Sequence, residues 1–313
     1  MGRVAYLFPG QGSQSVGMGA AFAASSLVCA EVFRRVDEAL GFAMSAIVSQ
    51  GPVETLALTE HTQPAVLAAS VVAWTAAREA GLPPPDAVAG HSLGEYTALV
   101  ASGVLSLEDA VRAVRLRGRY MQEAVPVGVG AMAAVLQLAP QAVVDVCREV
   151  SAEGDGVVVA ANFNGNEQTV VAGHAGAVTR ASERCKAAGA RRVVPLDVSA
   201  PFHSPLMAPV VGRLTPVLGA CVFRDAAVPV VTNVEAAPER SGARLRALLL
   251  EQVTAPVRWT EVVQRLAADG FDTFIELGPG TVLSGIAKRL VPGAKVVSIG
   301  APDKLEAARA LLG

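Results

Sequence analysis

The chain reads as an α/β protein on a mostly parallel sheet, with a smaller ferredoxin-like unit inserted into it. Three observations predict this. Short β-branched runs bounded by turn residues alternate with longer Ala-, Leu- and Arg-rich segments, the rhythm of a sheet covered by helices. Between about residues 127 and 198 the rhythm changes to strand, helix, strand, strand, helix, strand, the order of a split βαβ unit. The 313 residues are 52% hydrophobic, enough for a sizeable core in one large domain or two modest ones.

The larger unit has candidate strands at Arg3–Phe8, Ala87–His91, Val228–Val234, Phe271–Leu277 and Lys295–Ile299. Most are expected to be parallel and buried, because their apolar character is nearly continuous. The insert has strands Gly130–Leu138, Gly156–Asn162, Gln168–Gly173 and Arg191–Val198 around helices Pro140–Ser151 and Ala175–Ala188. Pro126-Val127-Gly128 and Ser199-Ala200-Pro201 punctuate its two ends. The expected division is 1–126 with 199–313 as the large subdomain and 127–198 as the small one, with a cleft where they meet.

Charge and cysteine usage exclude several classes. With 26 Lys and Arg against 28 Asp and Glu, the net charge of −2 offers nucleic acid no general basic field, although Arg191-Arg192 and Lys288-Arg289 form local basic pairs. Cys29, Cys147, Cys185 and Cys221 are widely separated, with no C-x-x-C and no nearby histidine pair, which argues against a zinc site or a disulfide framework. No apolar stretch approaches the roughly 18 residues of a membrane span, and Pro9-Gly10 cuts the N-terminal apolar run too short for a signal segment. A cytoplasmic protein in a reducing compartment, with no membrane association, is the expectation.

The stretch Phe8–Gly19, FPGQGSQSVGMG, follows the first strand and holds four glycines. It is not a phosphate loop: Gly12 and Gly17 have the right gap, but Met18 and Gly19 stand where Lys and Ser/Thr are needed. Gly10, Gly12 and Ser15 likewise fall short of the dinucleotide pattern, which needs a third glycine for close packing of helix on strand.

The second strand runs into Gly90-His91-Ser92-Leu93-Gly94, a G-x-S-x-G between strand and helix. A sharp turn there exposes the Ser92 hydroxyl and leaves the Leu93 N–H at a helix N-terminus, where negative charge is favoured. Ser92 is the candidate nucleophile. Four histidines can supply its base. His91 adjoins Ser92 and points to the other face; His61 and His174 sit in turn-like settings without an evident partner. His203, in the Pro-bracketed loop SAPFHSPLM at the insert's return, is expected to face the cleft and is the candidate base. No carboxylate stands ready to orient it. Asp197 is the nearest before it but belongs to a strand expected to end in the other subdomain, so a backbone carbonyl could take that role.

Helix Glu108–Glu123 clusters Arg112, Arg115 and Arg119 on one side, while Arg117 falls among Ala110, Val114 and Met121 on the apolar side. A buried guanidinium needs an anion, and spacing leaves two options open: an internal Asp or Glu, or a substrate carboxylate held by a bidentate fork.

Seven collinear segments, from Phe8–Gly19 through GHSLGEY, RLRGRYMQEA, AANFNGNEQTVVAG, VSAPFHSPLM and LLLEQVTAPVRW to ELGPGTVLSG, resemble the malonyl-CoA:acyl-carrier-protein transacylases of fatty-acid synthesis and the related acyltransferase domains of polyketide synthases. The resemblance implies a hydrolase-like α/β core with the inserted ferredoxin-like subdomain. It implies Ser92 as the acylated nucleophile, His203 as its base and Arg117 as the clamp on the malonyl carboxylate. It also implies that the amides of Gln11 and Leu93 form an oxyanion hole, so the glycine-rich loop would cradle an oxyanion rather than a phosphate.

By the same resemblance the main-chain carbonyl of Gln252 orients the histidine, and Asn162, Val282 and Met121 belong to the substrate site. Phe202 resembles the malonyl-type pattern, in which a bulky ring leaves little room for an α-methyl branch. The "GNEQ" after Asn164 departs from the Ser-Pro of some relatives, at a turn of the small subdomain.

The implied reaction is a ping-pong transfer from malonyl-CoA to the phosphopantetheine thiol of acyl carrier protein, by a monomer with no permanently bound cofactor and no metal. Two alternatives stay open: a serine thioesterase or esterase with water as acceptor, and a catalytically idle carrier-binding scaffold. Service in a polyketide pathway is equally compatible.

Overall fold

The computed structural model describes residues 2–198 and 200–312. Among them ten strands form two sheets. In chain order the strands are β1 (Arg3–Phe8), β2 (Ala87–Gly90), β3 (Gly130–Leu136), β4 (Val158–Phe163), β5 (Gln168–His174), β6 (Arg192–Pro195), β7 (Val230–Val231), β8 (Pro238–Glu239), β9 (Phe271–Leu277) and β10 (Lys295–Ile299).

The larger sheet has the order β10-β9-β1-β2-β7-β8 and is parallel except for β8, which runs antiparallel to β7. Helices cover both faces, so the pleat of β1 divides its side chains between two cores. Val4, Tyr6 and Phe8 point into the core shared with helices Leu27–Leu40 and Thr59–Glu79. Ala5 and Leu7 point the other way, onto Trp259, Val262 and Val263.

The smaller sheet is antiparallel, in the order β4-β5-β3-β6. Its outer face, with Ala133, Val135 and Val171, packs under helices Pro140–Ala152 and Ala175–Ala187. Its inner face carries Met132, Ala134, Val170 and Ala172 and belongs to the larger unit's core. The edge strand β4 is also tied to the larger unit by main-chain bonds, Val257 N–H to the Ala161 carbonyl at 2.8 Å and Phe163 N–H to the Val257 carbonyl at 2.9 Å. The small sheet thereby forms one wall of a cleft whose other wall is the C-terminal end of the parallel sheet, where α/β folds bind ligands.

Some elements differ from expectation. Val228–Val234 shrinks to Val230–Val231, because Thr232 opens a turn closed by Ala236 N–H to the Thr232 carbonyl. Strand Gly130–Leu138 stops at Leu136, where Gln137 adopts a positive φ of 58°. Strand Arg191–Val198 covers only Arg192–Pro195; Ser199, at the expected boundary, lies outside the described residues. His61 sits in the first turn of helix Thr59–Glu79, not in a turn, and its Nδ1 meets the Thr55 carbonyl. His174 ends β5 and accepts the Val157 N–H.

Candidate active site

The chain leaves β2 through His91, Ser92 and Leu93 and enters helix Gly94–Ala101. The flanking glycines are there for close approach: a Cβ on Gly90 would overlap the backbone of Gly94, and one on Gly94 would overlap the Phe8 carbonyl at the end of β1. Ser92 is consequently held at φ 52°, in the left-handed region. His91, its neighbour, turns away to place Nε2 2.8 Å from Asn164 Oδ1 and its ring against Trp259.

His203 also has a left-handed φ, of 58°, and is buried in the loop that returns from the small sheet. Its Nε2 lies 2.7 Å from Ser92 Oγ. Its Nδ1 faces two carbonyl oxygens, that of Gln252 at 2.9 Å and that of Ala255 at 3.2 Å. Carbonyl oxygens only accept, so Nδ1 carries the proton and Nε2 presents its lone pair to the serine. Burial pushes the imidazole's pKa down to about 3, and the positive charge of Arg117 adds to the effect.

Arg117 is buried on helix Leu107–Glu123. Gly118 beside it lets that helix lie against the Thr59 carbonyl, where a Cβ would collide. The guanidinium donates from Nη1 to Gln63 Oε1 at 2.9 Å, and from Nη2 to Gln252 Oε1 at 3.0 Å and Ser92 Oγ at 3.2 Å. All three acceptors are neutral, and among the described residues it makes no ion pair. The ring of Tyr96 lies 5.7 Å from its central carbon. Desolvation lowers its pKa, opposed by Tyr96 and by Glu95. Because the guanidinium donates to Ser92 Oγ, the serine's own proton is directed to His203 Nε2, the geometry of a nucleophile facing its base.

These groups open onto a cleft of about 580 Å³ that reaches Gln11, Leu93, Met121, Asn162, Phe202 and Val282. Val282 stands exposed at the mouth, while Phe202 is buried. Gln252 sits behind the cleft, between His203 and Arg117, and its Nε2 donates to the Ser92 carbonyl at 3.2 Å. Among the described residues, the amides of Gln11 and Leu93 have no hydrogen-bond acceptor. The glycine-rich loop that carries Gln11 is self-braced, with Gly12 N–H on Gln14 Oε1 at 2.7 Å and Ser13 Oγ on the Gly10 carbonyl at 2.7 Å.

The model of the acyl transferase domain matches residues 5–302. The chain is 46% identical to the malonyl CoA-acyl carrier protein transacylase of Salmonella typhimurium over 308 residues, covering 98% of this chain and 99% of that protein. The chain belongs to the acyl transferase family, among its malonyl-CoA:acyl carrier protein transacylases. A Bacillus subtilis transacylase of the same name is 45% identical to this acyl transferase, over 98% of the chain and 96% of the relative. Among solved structures, the Coxiella burnetii malonyl CoA-acyl carrier protein transacylase superposes with a TM-score of 0.96 at 38% identity, covering 99% and 98% of the two chains. A malonyl-transacylase in complex with a type II PKS acyl-carrier protein superposes with a TM-score of 0.94 at 44% identity, covering 98% of each. The mixed architecture of a mostly parallel sheet beside a separate antiparallel one is the fold of these structures.

Several of the acyl transferase's site residues escaped sequence reasoning. Gln63 holds Arg117 and places its Nε2 3.8 Å from Met121 Sδ. The only trace in the sequence is a lone amide in a helix otherwise rich in Ala and Val. Asn233, in the turn after β7, accepts the Ser92 N–H at 2.6 Å. Glu95 is buried, with its pKa raised to about 7 by desolvation, and accepts the Asn233 N–H at 2.8 Å. Asp197, expected to end in the other subdomain, lies beyond β6 and lines the cleft instead. Among the described residues, no cluster of His, Cys, Asp and Glu could hold a metal ion, and all four cysteines are free.

Proposed function

We propose that this acyl transferase moves a malonyl group from coenzyme A to the phosphopantetheine thiol of an acyl carrier protein through a malonyl-Ser92 intermediate. One observation carries the reading: a buried guanidinium with only neutral partners points at the same Ser92 Oγ that His203 faces. A malonyl carboxylate is the anion this cation lacks, and binding it in a planar fork orients the thioester toward Ser92.

Ser92 Oγ attacks the thioester carbon while its proton passes to His203 Nε2. The amides of Gln11 and Leu93 hold the oxyanion, and the imidazolium is steadied by the Gln252 and Ala255 carbonyls. The C–S bond then breaks, and coenzyme A leaves as a thiol with the proton from His203. The carrier's thiol reverses these steps: its proton goes to His203 as its sulfur attacks the acyl carbon, and the C–O bond then breaks as His203 returns the proton to Ser92 Oγ. Carboxylate bound at Arg117 also offsets the positive charge beside His203 and so strengthens the base for the attack. No bound cofactor is required by these steps.

Coenzyme A and phosphopantetheine both carry phosphate. A groove of about 840 Å³ adjoins the cleft through Asn164, Gln168 and Ile286, and Arg191, Arg192 and Arg289 line it. We assign the phosphate-bearing end of both substrates to this groove, with the small subdomain, 127–198, as one wall of the cleft. Among the described residues, no helix is long and apolar enough to cross a membrane. The protein is proposed to act in the cytoplasm as a monomer, since one chain supplies every group named.

Intact-protein mass spectrometry after mixing with malonyl-CoA tests the core of the reading. A malonyl adduct on the wild type that is absent from Ser92→Ala is the expected result. An adduct that survives in the variant moves the nucleophile elsewhere, and an adduct that drains only into free malonate in the presence of carrier makes the enzyme a hydrolase.

A further inference from the structure

Ser92 keeps a left-handed backbone conformation that is strained for a non-glycine residue, so its surroundings must hold it there. The β2–β7 ladder ends at Ala89 and Val231, short of the bend. Beyond that point one side chain takes over. Asn233 is fully buried; its Oδ1 accepts the Ser92 N–H at 2.6 Å and its Nδ2 donates to the Gly90 carbonyl at 2.7 Å. The two bonds bracket His91, so the amide serves as a peptide surrogate across the bend. Asn233 is itself tethered: its N–H donates to Glu95 Oε2 at 2.8 Å, and its carbonyl accepts from Arg258 N–H at 3.2 Å. Glu95 lies in the first turn of the helix that the bend opens, which closes the loop of contacts.

This arrangement also allocates the amides. The Ser92 N–H is committed to Asn233, whereas the next amide, Leu93, has no acceptor among the described residues. We propose that Asn233 is a positioning residue for acyl transfer, fixing the bend so that Ser92 Oγ meets His203 and the Leu93 amide, rather than that of Ser92, is free to face the oxyanion. The inference rests on the proposed role of Ser92.

The test measures the rate of malonyl-serine formation by rapid quench for wild type, Asn233→Ala and Asn233→Asp, and the affinity for malonyl-CoA of each in a Ser92→Ala background. Loss of one oxyanion-hole donor is worth about 10²- to 10³-fold, and Asn233→Ala should slow acylation by about 10²-fold with malonyl-CoA affinity within about threefold. Asn233→Asp keeps the acceptor for Ser92 N–H and should recover part of the rate. Backbone hydrogen exchange on the wild type gives a readout independent of the variants' folding: the Ser92 amide should exchange more slowly than that of Leu93.

Normal wild-type acylation with an unaltered rate in Asn233→Ala would overturn this inference alone. So would a rate loss matched by an equal loss of affinity, or a Ser92 amide exchanging as fast as that of Leu93. A wild type that forms no adduct would unseat Ser92 itself, and this inference with it.

Discussion

Arg117 Nη2 lies 3.2 Å from Ser92 Oγ, so the cation that the helix periodicity turns inward reaches the proposed nucleophile itself. In the proposed reaction that contact joins substrate selection to chemistry, since the group that would bind the malonyl carboxylate also sets the field at the serine and the imidazole. Arg117→Ala should lower kcat/KM for malonyl transfer by about 10²-fold or more, the scale of a lost charge-assisted pair. Transfer of acetyl, which offers the fork nothing, should hold or rise. Arg117→Lys should restore little, because a point charge cannot make the planar two-nitrogen contact. Steady-state kinetics with both thioesters decide the matter, and an equal loss on both would remove the clamp.

The depressed pKa of His203 gives a pH signature. Burial, and then Arg117, keep the imidazole neutral down to about pH 3 in the folded protein, against 6.5 for an ordinary histidine. The acid limb of kcat/KM should therefore fall well below pH 6 in the wild type. Removing the cation in Arg117→Ala should move that limb upward, though not to 6.5, since burial remains. For stability the sign follows from linkage. The unfolded chain binds the extra proton first, so this group's contribution is present above pH 6.5 and is lost as pH falls toward 3. Residual acetyl transfer by Arg117→Ala across pH 4–8 checks the limb.

Glu95 has the opposite sign. Its folded pKa, raised to about 7 by burial from an ordinary 4.5, makes the folded state bind the extra proton between those values. Its contribution to stability is fully present below pH 4.5 and declines as pH rises through 7. Glu95→Gln, which keeps an acceptor for the Asn233 N–H, should flatten the decline between pH 5 and 7 in denaturant titrations. An unchanged slope would mean that the carboxyl titrates as an ordinary one.

Phe202 is buried, lines the cleft and precedes the candidate base. In the proposed reaction its ring would take the space that an α-methyl branch on the acyl group needs. Phe202→Ser should raise the methylmalonyl to malonyl ratio of kcat/KM by about tenfold, the discrimination that a single methyl supports. Competition between the two thioesters on one sample reads that ratio directly, and an unchanged ratio would place the selectivity elsewhere.

What could be read beforehand divides along physical lines. Strands Arg3–Phe8, Phe271–Leu277 and Lys295–Ile299 have the expected bounds, because a parallel strand, buried as in the first two or at the sheet's edge as in the third, is a short apolar run between turn residues. Helix Leu107–Glu123 was legible to within a residue, and so was the inward face that carries Arg117. What Arg117 touches was not: Gln63 and Gln252 lie 54 and 135 positions away, and only the assembled fold brings them to it. Asn233 was hidden for a related reason. A lone amide in an apolar run has no periodicity and no motif, and it falls in the turn that Thr232 opens, inside the stretch Val228–Val234 that its neighbours predicted as strand.

The glycines at the bend and in the loop before it do different work, and substitution can separate them. At Gly94 a Cβ would overlap backbone oxygen at the end of β1, with no flexible side chain to move aside. Gly94→Ala must therefore push the helix off the sheet, and it should destabilise the protein by about 3 kcal/mol or more, the upper range for overpacking. Gly12 has a φ of 98° with nothing within 4 Å of where a Cβ would stand. Gly12→Ala then meets only the conformational penalty, about 1–2 kcal/mol. Because that loop carries the Gln11 amide, the milder substitution should still reduce malonyl-serine formation out of proportion to its effect on melting temperature. Thermal melts beside single-turnover acylation distinguish the two. A Gly12→Ala protein with full acylation rate would show that the loop's backbone course does not govern the oxyanion, leaving the Leu93 amide to do so alone.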